Sequence, residues 1–226
     1  MKRGRRADGE GTLSPDLRKV IRAHRLWLDT DGRRGARAEL QDHDLRDQDL
    51  TGVELSGADL TGADLRGARL DRARFRLARL RGAHLDGATI RAACFDGADL
   101  GLAVFDRAQI ADTRFEPIQI VGDDGGTVRA EWPARLGGAR FRRARITGCS
   151  FRGADLQNVS FKSAEIVDCD FENARLQPPK AAPAANQNGK IGLSACDPRA
   201  LHAALGLSGA DRATAAIPSA SIQHSP

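Results

Sequence analysis

A chain of 226 residues that is 41% hydrophobic but only 4% aromatic, with no Tyr, has few bulky side chains for an ordinary globular core. Its formal net charge of +5 sits at the ends: residues 1–35 hold ten Lys/Arg against five Asp/Glu, whereas residues 36–176 hold 21 against 23 and are nearly neutral. No apolar run approaches the ~20 residues a membrane-spanning helix needs, and the four Cys are too irregularly spaced for a disulfide framework or a CxxC metal pair.

Residues 1–35 read as a basic tail followed by a helix. Met1-Lys2-Arg3-Gly4-Arg5-Arg6 is basic, but no apolar region follows, so no secretory signal is expected and the cytoplasm is the expected location. Four basic residues in the first six, without aromatics, support only weak, salt-sensitive attachment; direct nucleic-acid or membrane contact is not expected. Ser14-Pro15-Asp16 is a helix start, with a capping hydroxyl, Pro at the first helical position and an acid in the first turn. Leu17, Val20, Ile21, His24, Trp27 and Leu28 then fall on one helical face, and Gly32 ends the element. Asp29-Thr30-Asp31-Gly32 begins like a calcium loop but lacks the later ligands and is read as a helix-ending turn.

From Leu40 an apolar residue falls on every fifth position, in a first run from Leu40 to Ile120 and a second from Phe141 to Leu176, 25 units in all; 17 of them have Ala two residues before the centre. Neither a helix nor a flat strand has a period of five. Ala58-Asp59-Leu60, Ala63-Asp64-Leu65, Ala98-Asp99-Leu100 and Ala154-Asp155-Leu156 match Ala-Asp/Asn-Leu-x-x, and Gly57, Gly62, Gly67, Gly82, Gly87 and Gly97 fall two after a centre. In these features the chain resembles the pentapeptide-repeat family. The resemblance implies an all-β fold, a right-handed quadrilateral β-helix with one pentapeptide per side and four per coil. Centres and the small residues two before them point inward, and the helix over residues 15–28 serves as an N-terminal cap. A five-residue side cannot bury anything alone, so stability must come from coil stacked on coil. Twenty-five sides make about six coils, a rod roughly 30 Å long at ~4.8 Å per coil.

Residues twenty apart should share a column. Continuing the first run directly into Phe141 stacks Phe105 on Phe141 and Phe161, Ile110 on Ile146 and Ile166, Phe115 on Phe151 and Phe171, and Ile120 on Leu156 and Leu176. Side-chain shape is kept in every column, which is the better packing. Residues 121–136 are therefore expected to be a 16-residue loop insertion. Gly122-Asp123-Asp124-Gly125-Gly126 lacks the Gly-Lys-Ser/Thr of a phosphate loop and reads as its tip. Asp123, Asp124, Arg129, Glu131 and Trp132, charges around one aromatic anchor, are the candidate partner-binding residues.

Asp49–Arg69, Glu54–Arg74 and Asp59–Arg79 should stack as ion pairs that set register, and Asp42, Asp44, Asp47 and Asp49 are read as outward repeat positions, not a cation site. Cys149 and Cys169 should be stacked thiols in Ala positions, and Cys94 lies between Arg74 and Arg114, where a lowered pKa would make it reactive. His43, Gln48 and Val53 replace Ala, so the opening coil is expected to be irregular. Residues 177–226 begin with a Pro/Ala-rich linker; Asp197-Pro198 can start a short helix over 198–205, and the rest is expected to be disordered. The chain is expected to be a monomer or weak dimer.

No catalytic constellation, metal set or cofactor site is read from the sequence, and the expected role is a non-catalytic protein-interaction scaffold with an unidentified protein partner. The alternative implied by the resemblance is protection of a type II topoisomerase, DNA gyrase, through DNA mimicry or a projecting loop. Arg66, Arg69, Arg72, Arg74, Arg76, Arg79 and Arg81 interrupt the continuous negative surface that a DNA mimic needs.

Overall fold

The computed structural model describes residues 13–122 and 128–176. Asp123, Asp124, the basic residues 1–12 and the tail readings over 177–226, including the helix expected at 198–205, lie outside the described residues.

The period of five becomes a repeat β-helix whose coils are 20 residues long. The N–H of each centre donates to a carbonyl on the following coil, as Leu60 does to Arg79 (2.7 Å), and the residue before each centre donates to the preceding coil, as Arg79 does to Ala58 (2.9 Å). Parallel bridges join residues twenty apart, from Glu39–Asp59 to Asp155–Arg175. The third hydrogen bond of each unit closes its corner: the Ala63 N–H donates to the Leu60 carbonyl at 3.0 Å. Closing it requires a left-handed residue two after the centre. Every such corner from Asp42 to Asp112 and from Gly138 to Asn173 has positive φ. Glycine takes that conformation without strain, which explains its position in the repeat.

One column is extended enough to form continuous strands. β1 (Thr89–Arg91), β2 (Gln109–Ala111), β5 (Arg145–Thr147) and β6 (Glu165–Val167) pair in parallel in that order, with Ile90, Ile110, Ile146 and Ile166 in register. Isoleucine at each centre favours that extended backbone. The interior changes along the rod: two of the four columns switch from Leu to Phe, at Phe75 and Phe105, while the other two keep Leu or Ile. Phe75, Phe95, Phe115, Phe151 and Phe171 stack at successive ring separations of 4.9, 5.2, 4.7 and 5.0 Å. Phe105, Phe141 and Phe161 stack in the next-but-one column at 4.6 and 5.1 Å and meet the first ladder edge-on. Ala in the neighbouring inward position leaves just enough room for these rings, and packing at interior density leaves little for more.

α1 (Pro15–Asp29) starts as expected, with the Ser14 hydroxyl accepting from the Leu17 N–H at 3.3 Å. Leu13, Leu17 and Ile21 join the same buried cluster as the coil centres. His24 is fully buried; its Nδ1 accepts from the Ala38 N–H at 3.1 Å, and its ring stacks on Trp27. The Asp29–Gly32 segment is the helix end, with Asp31 and Gly32 in left-handed geometry and the Thr30 hydroxyl donating to the Leu26 carbonyl at 2.7 Å.

The expectation of an irregular opening coil does not hold. Glu39–Asp59 and Asp44–Asp64 bridge like later coils, and Leu40, Leu45, Leu50 and Leu55 are buried. The backbone ladder dictates the path. Replacing Ala changes only how the end is filled: Val53 is buried, Gln48 is half-buried and His43 faces water.

Candidate binding site: a hairpin at a broken corner

The ladder of left-handed corners has a single gap between Asp42 and Asn173, and Pro117 occupies it. Its ring fixes φ near −65°, so the corner after Phe115 cannot close and the chain leaves the rod. It returns at Ala134, which is buried in an inward corner, and Leu136, which is buried as a centre. Asp99 bridges Arg135, and the Leu100 N–H donates to the Arg135 carbonyl at 2.7 Å.

This corrects the boundary of the insertion. Its length of 16 residues stands, as does the stacking of Phe105 on Phe141, Ile110 on Ile146 and Phe115 on Phe151. The expected span of 121–136 is displaced by three residues: Leu136, not Ile120, continues the Leu100 column into Leu156. Ile120 is exposed on the excursion. The reason is steric. Seating Ile120 as a centre would put Ile118 in an inward corner that accepts Ala134.

The excursion is an antiparallel hairpin of β3 (Ile118–Val121) and β4 (Val128–Trp132), pairing Ile118 with Trp132, Gln119 with Glu131 and Ile120 with Ala130, with an irregularity after Ile120. At its base, Ile118 and Leu77 lie against Gly97, and Pro117 covers Gly153. The hairpin carries little else that is buried: Ile120 is 40% exposed, Val121 49%, Val128 47% and Trp132 46%. Leu77, 47% exposed and beside Ile118, extends the apolar surface onto the rod.

Of the candidate partner-binding residues, Arg129, Glu131 and Trp132 all lie on β4. Sequence reasoning missed the apolar members, Ile120, Val121 and Val128. The alternation of Ile118, Ile120 and of Val128, Ala130, Trp132 was a readable strand signal.

Elsewhere the surface is charged, and much of the charge is paired between coils. Arg69, Arg74 and Arg79 reach Asp49, Glu54 and Asp59 one coil back at 3.3, 3.2 and 3.3 Å, as the twenty-residue spacing predicts. In the opening acidic cluster, Asp44 takes Arg46 at 2.6 Å, and that hydrogen bond holds its carboxyl down at about 2. Cys94 does lie between Arg74 and Arg114, but burial pushes its thiol up, so the flanking arginines do not make it a reactive thiolate. Cys149 and Cys169 are free thiols in the inward corners, and each donates to a carbonyl two residues back, Thr147 at 3.4 Å and Val167 at 3.3 Å. The hydroxyl of Thr113, one coil earlier, does the same to Ala111 at 2.9 Å. That corner suits a small donor, which accounts for Cys there. The neighbouring Cys169 sulfur, together with burial, pushes the Cys149 thiol up. Among the described residues no group of three or more His, Cys, Asp or Glu could hold a metal ion.

A family model of pentapeptide repeats matches the chain in eight copies, over residues 36–67, 58–97, 83–116 and 134–177, and so skips the hairpin. No curated protein matches the chain. Solved structures similar to it include a pentapeptide repeat protein of the Arabidopsis thaliana thylakoid lumen, 27% identical over 59% of this chain and 71% of that one, with a TM-score of 0.29. A pentapeptide repeat protein from Nostoc is 36% identical over 39% of this chain and 76% of that one (TM-score 0.24). QnrB1, a plasmid-mediated fluoroquinolone resistance protein, is 17% identical over 61% and 83% (TM-score 0.31).

Proposed function

The chain belongs to the pentapeptide-repeat family, and we propose that it is a non-catalytic interaction scaffold that binds a protein partner through the β3–β4 hairpin. The observation that carries this reading is the apolar exposure of that hairpin. A strictly periodic rod buries its centres, all but Ile166 fully, yet leaves Ile120, Val121, Val128 and Trp132 half in water on one projecting element. Clusters of that size around a Trp mark binding surfaces, and the rod holds the base of the hairpin in place. In the same reading α1 is a cap. Its Leu17 and Ile21 enter the core cluster, and His24 accepts a backbone N–H at the start of the first coil, where an open end would otherwise expose apolar surface. Direct capture of partner from the native cell tests the hairpin. A Trp132→Ala, Ile120→Ser variant with unchanged circular dichroism should lose the partner that the parent retains; equal capture by both rules the hairpin out.

A second reading is protection of DNA gyrase against inhibitors. The projecting hairpin favours it. The Arg69, Arg74 and Arg79 columns oppose the DNA-mimic version, because they break up the acidic surface. A supercoiling assay with ciprofloxacin decides it: no protection at equimolar protein removes this reading and leaves the first intact.

A further inference from the structure

Half a coil before Pro117, at another corner of the rod, four cations gather around one carboxylate. Two stacked columns, Asp106–Arg142–Lys162 and Arg107–Arg143–Ser163, line a shallow pocket of about 300 Å³. Its one carboxylate is already engaged: Asp106 accepts from Arg140 at 2.9 Å and from the Arg142 N–H at 3.0 Å. Among the described residues, Arg107, Arg142, Arg143 and Lys162 form no ion pair with Asp106 or with any carboxylate neighbouring one of them, whereas Arg69, Arg74, Arg79, Arg114 and Arg145 each reach a carboxylate about one coil away. Neighbouring coils are ~4.8 Å apart, so the pocket concentrates four cations within two coil steps. Such repulsion is relieved by an anion. The same corner column carries Gly67 and Gly87 on the two preceding coils, then switches to Arg107 and Arg143, which hold left-handed φ of 62° and 58°. Arginine there takes on backbone strain that glycine avoids.

We propose that this pocket is a binding site for a phosphate-bearing anion with adjacent phosphate groups, of the size of pyrophosphate. Arginine forks bind phosphate oxygens in pairs. Cations on three successive coils, Arg107, then Arg142 with Arg143, then Lys162, fit two linked phosphates better than one compact ion. The site lies on the rod body, away from the hairpin, and does not depend on the hairpin binding a partner.

The test is calorimetric titration of the full chain with inorganic pyrophosphate, and in parallel with malonate, at an ionic strength where screening reaches about 10 Å. We expect saturable one-to-one binding of pyrophosphate that Arg142→Ala, Arg143→Ala weakens at least about tenfold, a change of ~1.4 kcal/mol. Arg33→Ala, Arg34→Ala, which removes the same charge from the segment after α1, should bind like the parent. Absence of saturation, equal weakening by both double variants, or malonate binding as tightly as pyrophosphate would overturn the proposal. Arg107→Gly, Arg143→Gly separates a ligand role from a structural one. These corners accept glycine, so the melting temperature should hold or rise while binding is lost; a lower melting temperature with binding retained would also overturn it. A single-stranded oligonucleotide should compete through its phosphates. Binding that grows with strand length and is absent for pyrophosphate would count against the site.

Discussion

Coil and hairpin are built from the same chain by opposite rules. In a coil each residue's position is set several times over: by the hydrogen bond to the next coil, by the bond to the previous one, by the left-handed corner and by the side chain stacked above and below. Between Pro117 and Ala134 all four constraints lapse together. What remains is a two-stranded ribbon with a register irregularity and apolar side chains in water. Two-stranded hairpins are marginal by themselves, so this one depends on Ile118, Leu77 and Pro117 at its base. Substitutions in the coils should therefore report on stability, and substitutions in the hairpin on binding.

Opening the Phe ladder should cost the rod the most stability. Phe95→Ala removes a ring stacked on both sides, at 4.9 Å from Phe75 and 5.2 Å from Phe115, and should cost about 3–5 kcal/mol. Cys94→Ser, next in sequence but on the outer surface, should cost under about 1 kcal/mol. Urea melts of the two variants measure the difference, and equal losses would mean that inward and outward positions are misassigned. The corners come next. Gly97→Ala places a methyl group at φ +66° and within 3.0 Å of Leu77 and 3.1 Å of Ile118. Both contacts are the ends of flexible side chains, so the backbone term dominates, about 1–2 kcal/mol.

A smaller, pH-dependent effect marks the helix end of the rod. Burial pushes the His24 imidazole below its ordinary value. Between that lowered value and 6.5 the unfolded chain binds the proton and the folded chain does not, so stability is full above about pH 6.5 and falls as pH drops through it. Thermal melts at about pH 8 and about pH 5 should show the loss in the parent. His24→Gln, which can still accept from Ala38, should flatten it. A parent insensitive to acid over that range would place the helix loosely on the coil.

Much of the rod was legible because its signals are redundant. Centres, inward Ala, stacked ion pairs and matched Phe columns each report the same register. The insertion boundary was harder, because Ile120 and Leu136 both stand a multiple of five from accepted centres and compete for one position. Two residues decide it: Pro117, which cannot form a left-handed corner, and Ala134, which fits where Ile118 would not. Both were in the sequence, but only knowledge of the corner conformation gives Pro117 its meaning. The cationic pocket was less accessible still. Arg107 meets Arg143 only after the 16 residues of the insertion are removed from the count, and the two lie 36 apart in sequence. The apolar hairpin was hidden by a search for a period of five in a segment that has a period of two.

The smallest expected effect is the sharpest test of this boundary. Deleting 118–133 joins Pro117 to Ala134 and retains Ala134 and Leu136 in their own positions, but leaves proline at a corner that must be left-handed. With Pro117→Gly the corner can close, every column stays matched, and a segment with few buried side chains is gone. The melting temperature should then match the parent to within a few degrees, since loops of this length add little to closure. Deleting 121–136 in the same Pro117→Gly background instead puts Ile120 in the place of Leu136 and forces Ile118 into the inward corner of Ala134, an overpacking worth about 1–3 kcal/mol. Scanning calorimetry on the two deletions discriminates the registers directly. If the 121–136 deletion proves the more stable, Ile120 is the true centre and the hairpin begins three residues later than the corner argument requires.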